Sequence, residues 1–151
     1  MRVVLQRVSR ASVAVDGLPV SGIGRGLCLL VGIEEGDDEE SVDAAVPKIT
    51  GLRVFPDASG KMNLSVSEVS GEILVVSQFT LLGDTRRGRR PSFTLAASPE
   101  TAKPLIERMA AGFRSEGVPT AEGVFGARMD VELVNDGPVT LLLEFGSGTR
   151  G

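Results

Sequence analysis

The sequence contains no histidine among its 151 residues. This absence excludes Ser-His-Asp and Cys-His catalytic machinery, and it also excludes zinc held by histidine. The single cysteine, Cys28, excludes an intrachain disulfide and a zinc cluster held by several thiolates. Because Cys28 lies in the middle of an apolar run, we expect a buried, inert thiol rather than a nucleophile.

Aromatic residues are also scarce. There is no Trp or Tyr and there are six Phe, which argues against a platform on which many bases stack. No run of 18 apolar residues occurs, and the N-terminal segment lacks the long apolar core of a signal peptide, so we expect a cytoplasmic protein without a membrane partner. The net charge of −4 argues against a polybasic nucleic-acid coat, but it leaves room for a local basic patch.

The length is that of one domain, and 42% apolar residues can form a core that needs no disulfide or metal. We expect a domain over residues 1–145. The last six residues, 146–151, carry no apolar side chain and are predicted to form a flexible C-terminal tail.

Strand patterns dominate the chain. Residues 1–15 are rich in valine, and the turn signal Asp16-Gly17 follows them, which predicts a strand and a hairpin. The continuous apolar run at 27–33 predicts a strand that is buried on both faces. Segment 72–80 (EILVVSQFT) is the strongest strand, and further strands are predicted at 52–55, 129–134 and 139–145.

Two helices are predicted. The acidic segment 36–40 favours a helix start, and apolar residues then recur with helical spacing over 42–49, although Pro47 should kink this helix or shift its start. Ser98 and Pro99 predict a second helix with a capping hydroxyl and Pro at its first position, ended by Gly117. Six or seven strands and two helices indicate an α/β or α+β fold with one main sheet.

Two segments that could suggest a ligand are better explained as ordinary structure. Gly22 to Gly26 has the spacing G-x-G-x-G, which is not that of a dinucleotide-binding loop. The acidic cluster at 34–40 lacks the spacing of a calcium loop, so we predict no metal site there.

Four arginines fall within five positions: Arg86, Arg87, Arg89 and Arg90. They form either a solvated loop, with or without ion pairs between subunits, or a clamp for phosphate, because the guanidinium donors match phosphate oxygens. The residues alone leave both interpretations open.

Polar side chains end the strongest strand. Ser77, Gln78 and Thr80 are placed to meet a ligand, although Ser77 and Thr80 can also simply satisfy backbone groups. The second polar motif, at 135–140, has the chemistry of a hairpin turn between two apolar strands.

Together these motifs resemble the D-aminoacyl-tRNA deacylase (D-tyrosyl-tRNA deacylase) family from residue 1 to about 145. The resemblance rests on V-L-Q-R-V-x-R-A-S-V at 4–13, G-K-M-N-L-S at 60–65, V-V-S-Q-F-T-L at 75–81, R-P-S-F at 90–93, F-G-A-x-M at 125–129 and N-D-G-P-V-T at 135–140.

The resemblance implies a homodimer with a barrel-like, mixed β-sheet and two helices. Its substrate would be the 3′ end of a tRNA that carries a D-amino acid, and the enzyme would hydrolyse the ester bond between them in translation proofreading. The reaction would need no cofactor or metal, and the protein would have no membrane or DNA partner. The residues that would line the catalytic site are Ser77, Gln78, Phe79 and Thr80. Residues implied in substrate binding are Gly137 and Pro138, joined by a cis bond and reaching the partner's site, Arg7, which would hold them, and Phe125 and Met129, which would border the terminal adenine.

Without histidine, we expect a water molecule to attack the ester with help from the ribose 2′-hydroxyl, while backbone N–H groups near Phe79 and Thr80 hold the oxyanion. Thr80 as a nucleophile is the rival mechanism. If a clash at Cα excludes L-amino acids, glycyl-tRNA should also be hydrolysed. The alternatives are a non-catalytic module that binds a tRNA end or a nucleotide, and a structural oligomer with surface arginines.

Overall fold

Eight strands, two α-helices and one 3₁₀ turn account for most of residues 1–146, the part of the chain that the structure, a computed structural model, describes. The elements in chain order are β1 (Arg2–Val15), β2 (Leu18–Ile23), β3 (Gly26–Gly32), α1 (Glu39–Gly51), β4 (Phe55–Pro56), β5 (Met62–Leu64), β6 (Glu72–Ser77), the 3₁₀ turn (Phe79–Leu82), α2 (Pro99–Ser115), β7 (Thr120–Glu122) and β8 (Asp130–Glu144).

The main sheet is built around β1. On one side, β2 and β3 pair antiparallel with its two halves, and on the other side β8 pairs antiparallel along almost its whole length. Strands β3, β6 and β7 are mutually parallel. The Ser21 hydroxyl on β2 donates to the Glu122 carbonyl on β7 at 2.7 Å, so distant strands of the sheet meet. The predicted barrel-like mixed sheet with two helices is therefore confirmed.

The sheet separates two apolar cores. One contains buried residues of β1, β2, β3 and β6, with β8 residues packed against them, and it fills the inside of the barrel. The other contains the apolar faces of both helices packed against the opposite face of the sheet. Cys28 is fully buried in the inner core, and this burial raises the pKa of its thiol to about 11. The expectation of a buried thiol, far from thiolate reactivity at neutral pH, is confirmed.

Helix α1 begins at Glu39, behind Asp38, whose side chain accepts a hydrogen bond from the Ser41 backbone N–H at 3.1 Å. The helix continues through Pro47 to Gly51, so Pro47 does not shift its start. Helix α2 begins at Pro99 as predicted. The capping interaction at its start was predicted wrongly, because the Ser98 hydroxyl donates to the Thr101 hydroxyl instead of accepting from a backbone N–H.

Three strand predictions need correction. Of residues 52–55 only Phe55 is in a strand, because α1 extends to Gly51 and Leu52 serves as its C-cap. Strand β6 ends at Ser77 rather than at Thr80, because the chain turns there into the 3₁₀ segment. Segments 129–134 and 139–145 are parts of one strand, β8, and not a hairpin.

Of the predicted tail, residues 147–151 lie outside the described residues, and only Gly146 lies within them. Neither helix of residues 1–146 has the length and apolar character needed to cross a membrane.

Candidate active site

A cleft of about 570 Å³ opens at the carboxyl ends of the three parallel strands. Ile33 follows β3, Ser77 ends β6, and Phe125 comes shortly after β7, and all three line the cleft. Parallel strands point their carboxyl ends to one edge of a sheet, where ligands commonly bind. The volume is in the range of small-molecule sites.

Five of the predicted site residues meet in this cleft: Ser77, Gln78, Phe79, Phe125 and Met129. They are separated by up to 52 positions in the sequence, and the sheet brings them together. The predicted residues that do not line the cleft of their own chain are Thr80, Gly137, Pro138, Arg7 and the four loop arginines.

The turn after β6 exposes main-chain donors beside the cleft. The Gln78 N–H donates to the Val31 carbonyl at 2.8 Å, and the Leu81 N–H donates back to the Gln78 carbonyl at 3.2 Å. Between them, the N–H groups of Phe79 and Thr80 donate to no acceptor in the described part of the chain. These two groups are therefore available to a ligand.

The Thr80 hydroxyl has a single side-chain partner among residues 1–146. Its oxygen accepts a hydrogen bond from the Gln78 amide. No carboxylate or amine in this part of the chain contacts the hydroxyl, so no neighbouring side chain can take its proton. Within the same residues, no three His, Cys, Asp or Glu side chains come together in a way that could hold a metal ion.

One wall of the cleft was missed by the sequence analysis. Residues 93–99 form it, and the Ala97 N–H donates to the Ile33 carbonyl at 3.0 Å, which fixes this wall to the end of β3. The Phe93 ring packs edge-on against the Phe79 ring, with centroids 5.1 Å apart. Phe93 belongs to the family motif R-P-S-F and could have been singled out from it. No local pattern indicated that Ala96 and Ala97 lie next to Ile33.

The motif at 135–140 forms a large bulge in β8. Asn135 pairs with Val8 and Thr140 pairs with Gln6, so only Arg7 on β1 faces four residues of β8. The strand keeps its direction on both sides of the bulge, and the hairpin prediction is therefore wrong. The Gly137–Pro138 peptide bond within it is cis.

Arg7 anchors this bulge from inside the protein. The residue is 8% exposed, and its guanidinium donates from Nη1 to the Val54 carbonyl at 2.6 Å and from Nε to the Asp136 carbonyl at 3.2 Å. It also lies 3.3 Å from the Asp136 carboxylate. Gly137 has φ of +125°, and a Cβ there would lie 2.8 Å from Arg7 Nη2. Only glycine fits this position without movement of the anchor.

Asn135 completes the anchor and was not singled out from the sequence. Its amide donates to the carbonyls of Arg7 and Val139, both at 2.9 Å, and so ties the two ends of the bulge to β1. The chemistry of Asn-Asp-Gly suggested a turn, and nothing local showed that the Asn amide bonds to a strand far away in the sequence. Gly137 and Pro138 themselves are exposed to solvent.

The bulge lies well away from the cleft of its own chain. The Arg2 guanidinium donates to the carbonyl of Leu81, in the turn beside the cleft, at 3.1 Å. Arg7 is five residues further along the same strand, a separation of about 17 Å. Gly137 and Pro138 therefore belong to a different surface region from Ser77 to Thr80.

The arginine loop projects into solvent next to the 3₁₀ turn. Asp84 and Ser92 close it with two backbone hydrogen bonds of 2.7 and 2.9 Å. The Arg86 guanidinium holds the Asp84 carboxylate through two donors, and this pairing sets the pKa of Asp84 well below its ordinary value. Of the loop arginines, Arg87, Arg89 and Arg90 are exposed, and their side chains form no ion pair or hydrogen bond with residues 1–146.

Comparison with known proteins gives consistent matches. Residues 4–144 match the family model described as D-Tyr-tRNA(Tyr) deacylase. A protein of Thermomicrobium roseum named D-aminoacyl-tRNA deacylase is 57% identical over 144 residues, which covers 95% of this chain and 94% of that protein. A protein of the same name from Geobacter metallireducens is 53% identical over 151 residues, the full length of both chains.

Two solved structures share the fold. One is described as a c-Myc DNA unwinding element binding protein; it has a TM-score of 0.90 and 45% identity, and the match covers 95% of this chain and 98% of that one. The other is described as a "probable eukaryotic D-amino acid tRNA deacylase"; it has a TM-score of 0.80 and 21% identity, and the match covers 94% and 97% of the two chains. The second similarity concerns the fold alone.

Proposed function

The chain belongs to the D-Tyr-tRNA(Tyr) deacylase family, and on that premise we propose that it hydrolyses the ester bond of D-aminoacyl-tRNA and releases free D-amino acid and tRNA. The observation that carries the proposal is the meeting of Ser77, Gln78, Phe79, Phe125 and Met129 in one cleft, because the family resemblance implies these residues for the substrate's 3′ end. Because a charged tRNA is found where translation takes place, the proposed substrate favours a cytoplasmic location. A family of hydrolases disfavours a non-catalytic module and a purely structural oligomer.

Main-chain groups and the substrate itself would do the chemistry. An aminoacyl ester is already activated, so water can attack its carbonyl with help from the adjacent ribose 2′-hydroxyl. The unpaired N–H groups of Phe79 and Thr80 would hold the oxyanion, and one such donor is typically worth about 3–4 kcal/mol. Neither step requires a metal or a cofactor. The rival in which Thr80 is the nucleophile lacks a base beside the hydroxyl.

We assign selection for the D-form to the bulge at 136–139, contributed by a second copy of the chain. Residues 136–139 do not line the cleft of their own chain, so we propose that they border the cleft of a partner in a homodimer. The anchor formed by Arg7 and Asn135 would give Gly137 and Pro138 a fixed position against the substrate Cα. An L-side chain would collide with them, whereas the hydrogen of a D-residue would fit.

The arginine loop would supply affinity for tRNA phosphates. Arg87, Arg89 and Arg90 have no internal partner among residues 1–146, whereas Arg86 already binds Asp84. Guanidinium groups that are exposed and unpaired can exchange water for phosphate oxygens at little cost.

The direct test is release of free amino acid from D-tyrosyl-, L-tyrosyl- and glycyl-tRNA. We expect hydrolysis of the D-tyrosyl and glycyl substrates and none of the L-tyrosyl substrate. Since one solved relative is described as a DNA-binding protein, single-stranded DNA should be included as a competitor. No release from D-tyrosyl-tRNA would refute the function, and inert glycyl-tRNA would refute selection by collision.

Thr80→Ala separates the two mechanisms. We expect turnover close to that of the unmodified protein, because the main-chain N–H of residue 80 remains in alanine. Loss of turnover by several orders of magnitude in a folded variant would instead support Thr80 as the nucleophile.

Mixing two variants of reduced activity tests the contribution of a second subunit. Arg7→Met releases the bulge, and Gln78→Ala alters the cleft. If one subunit provides the cleft and its partner the bulge, a random mixture regains active sites, up to about a quarter of the normal number. If bulge and cleft act within one chain, mixing restores nothing.

A further inference from the structure

A second hollow, of about 270 Å³, adjoins the cleft on the side of α2. Ser77 and Phe125 line both cavities, so the two lie side by side. A ligand whose terminal group fills the cleft can therefore continue into the hollow. The hollow is not needed for the terminal aminoacyl-adenosine that the proposed function places in the cleft.

The hollow presents charges of both signs over an apolar floor. Lys103 and Glu107 lie one turn apart on α2, so their side chains share one face of the helix. Glu122 lies opposite, at the end of β7, and Ile106 contributes to the floor. Glu122 is paired with Arg114 at 3.0 Å, whereas the side chains of Lys103 and Glu107 make no ion pair or hydrogen bond with residues 1–146.

We propose that this hollow binds the base of the nucleotide that precedes the terminal adenosine, and that Lys103 and Glu107 recognise it as cytosine. The inference rests on the proposed function, since the nucleotide before the terminal adenosine of tRNA is a cytidine. Cytosine presents an exocyclic amine beside acceptor atoms on one edge. A carboxylate is a common acceptor for that amine, and a lysine ammonium can only donate.

Other nucleotide groups fit the hollow less well. A phosphate in the hollow would face the carboxylates of Glu107 and Glu122, and its negative charge would be repelled by theirs. Uracil carries an acceptor oxygen where cytosine carries its amine, so that oxygen would face the Glu107 carboxylate and repel it. The charge pattern therefore favours cytosine over both.

The test compares three D-tyrosyl esters: a minihelix ending in CCA, one ending in CUA, and D-tyrosyl-adenosine, which has no preceding nucleotide. For the unmodified protein we expect kcat/KM to be about tenfold higher for CCA than for CUA. Glu107→Gln and Lys103→Met should reduce this ratio towards one. Glu40→Gln and Lys48→Met, exposed on α1, are the matched controls and should keep it.

The outcomes separate the two proposals. Equal rates on CCA and CUA by the unmodified protein, or a ratio unchanged in Glu107→Gln, would overturn cytosine recognition. Equal loss on CCA and CUA in Lys103→Met, with a gain on both in Glu107→Gln, would indicate a phosphate instead and also overturn it. Failure to hydrolyse any of the three esters would refute the proposed function, and this inference with it.

Discussion

The bulge of β8 and the arginine loop both depend on arginine, but they use it in opposite ways. In the bulge, Arg7 is buried and its donors are directed to the carbonyls of Val54 and Asp136. In the loop, Arg87, Arg89 and Arg90 are exposed and make no contact of this kind with residues 1–146. In the bulge the guanidinium group stabilises the protein itself, whereas in the loop the guanidinium groups are available to bind a partner.

The difference follows from what each region is proposed to do. Discrimination between mirror-image substrates needs atoms held in place, and hydrogen bonds from a charged, buried donor provide this. Attraction of phosphates depends mainly on charge, which acts over several ångströms without fixed geometry. Backbone order is therefore required at Gly137 and Pro138, and it is not required at residues 86–90.

Removal of the buried arginine should have the largest effect. Arg7→Met leaves the buried Val54 carbonyl without a donor and frees the bulge. We expect the free energy of unfolding to fall by about 3 kcal/mol, and deacylation to fall about 100-fold in the remaining folded protein. Denaturant unfolding measures the free energy of unfolding, and the D-tyrosyl-tRNA assay measures the deacylation rate.

Arg10→Met is the matched control on the same strand. Arg10 pairs with Glu132 at 2.7 Å, but both side chains are more than half exposed. Its loss should cost less than about 0.5 kcal/mol. Similar destabilisation by the two variants would contradict a special role for the buried anchor.

Glycine substitutions compare the two regions directly. Gly137 and Gly88 both have positive φ, +125° and +69°, but an added Cβ would meet Arg7 Nη2 at residue 137 and nothing within 4 Å at residue 88. We expect Gly137→Ala to cost about 3 kcal/mol and most of the activity. Gly88→Ala should cost about 1 kcal/mol and leave turnover unchanged. Equal costs would show that the added Cβ at residue 137 does not disturb the anchor.

The loop is tested through the salt dependence of tRNA binding. If Arg87, Arg89 and Arg90 each neutralise a phosphate, replacing all three by Gln should reduce the slope of log K against log salt by about two. Arg86→Gln alone should change the slope less, because Arg86 is already paired with Asp84. An unchanged slope after all four replacements would exclude the loop as the phosphate clamp.

The smallest effect concerns the Asp84 carboxyl. Arg86 lowers its pKa, so the pairing stabilises the loop at pH values above the ordinary pKa of Asp, about 3.9, and is lost as the pH falls through the lower value in the folded protein. Arg86→Gln should raise the pKa of Asp84 towards 3.9 in a carboxyl NMR titration. Asp57, whose pKa is lowered mainly by Ser59 and Lys61, is the internal control and should not change.

Local patterns were enough for most of the elements and for much of the cleft. The hairpin at Asp16-Gly17, the buried strand β3 and both helices follow from periodicity and turn residues within about 20 positions. The segment from Ser77 to Phe79 was identified because polar residues end an apolar strand. The errors at residues 52–55 and 78–80 lie at element ends, where the pattern does not show where the chain turns.

The sequence by itself determined which residue types this protein can use: it has no histidine base, one inert thiol, a cluster of arginines and a set of family motifs. Only the tertiary structure decided that residues 136–139 bulge from a continuous strand instead of reversing it, and that Arg7 holds them. The physical reason is distance along the chain. Arg7 and Asp136 are 129 positions apart, and their pairing depends on the register of β1 with β8, which no local pattern contains.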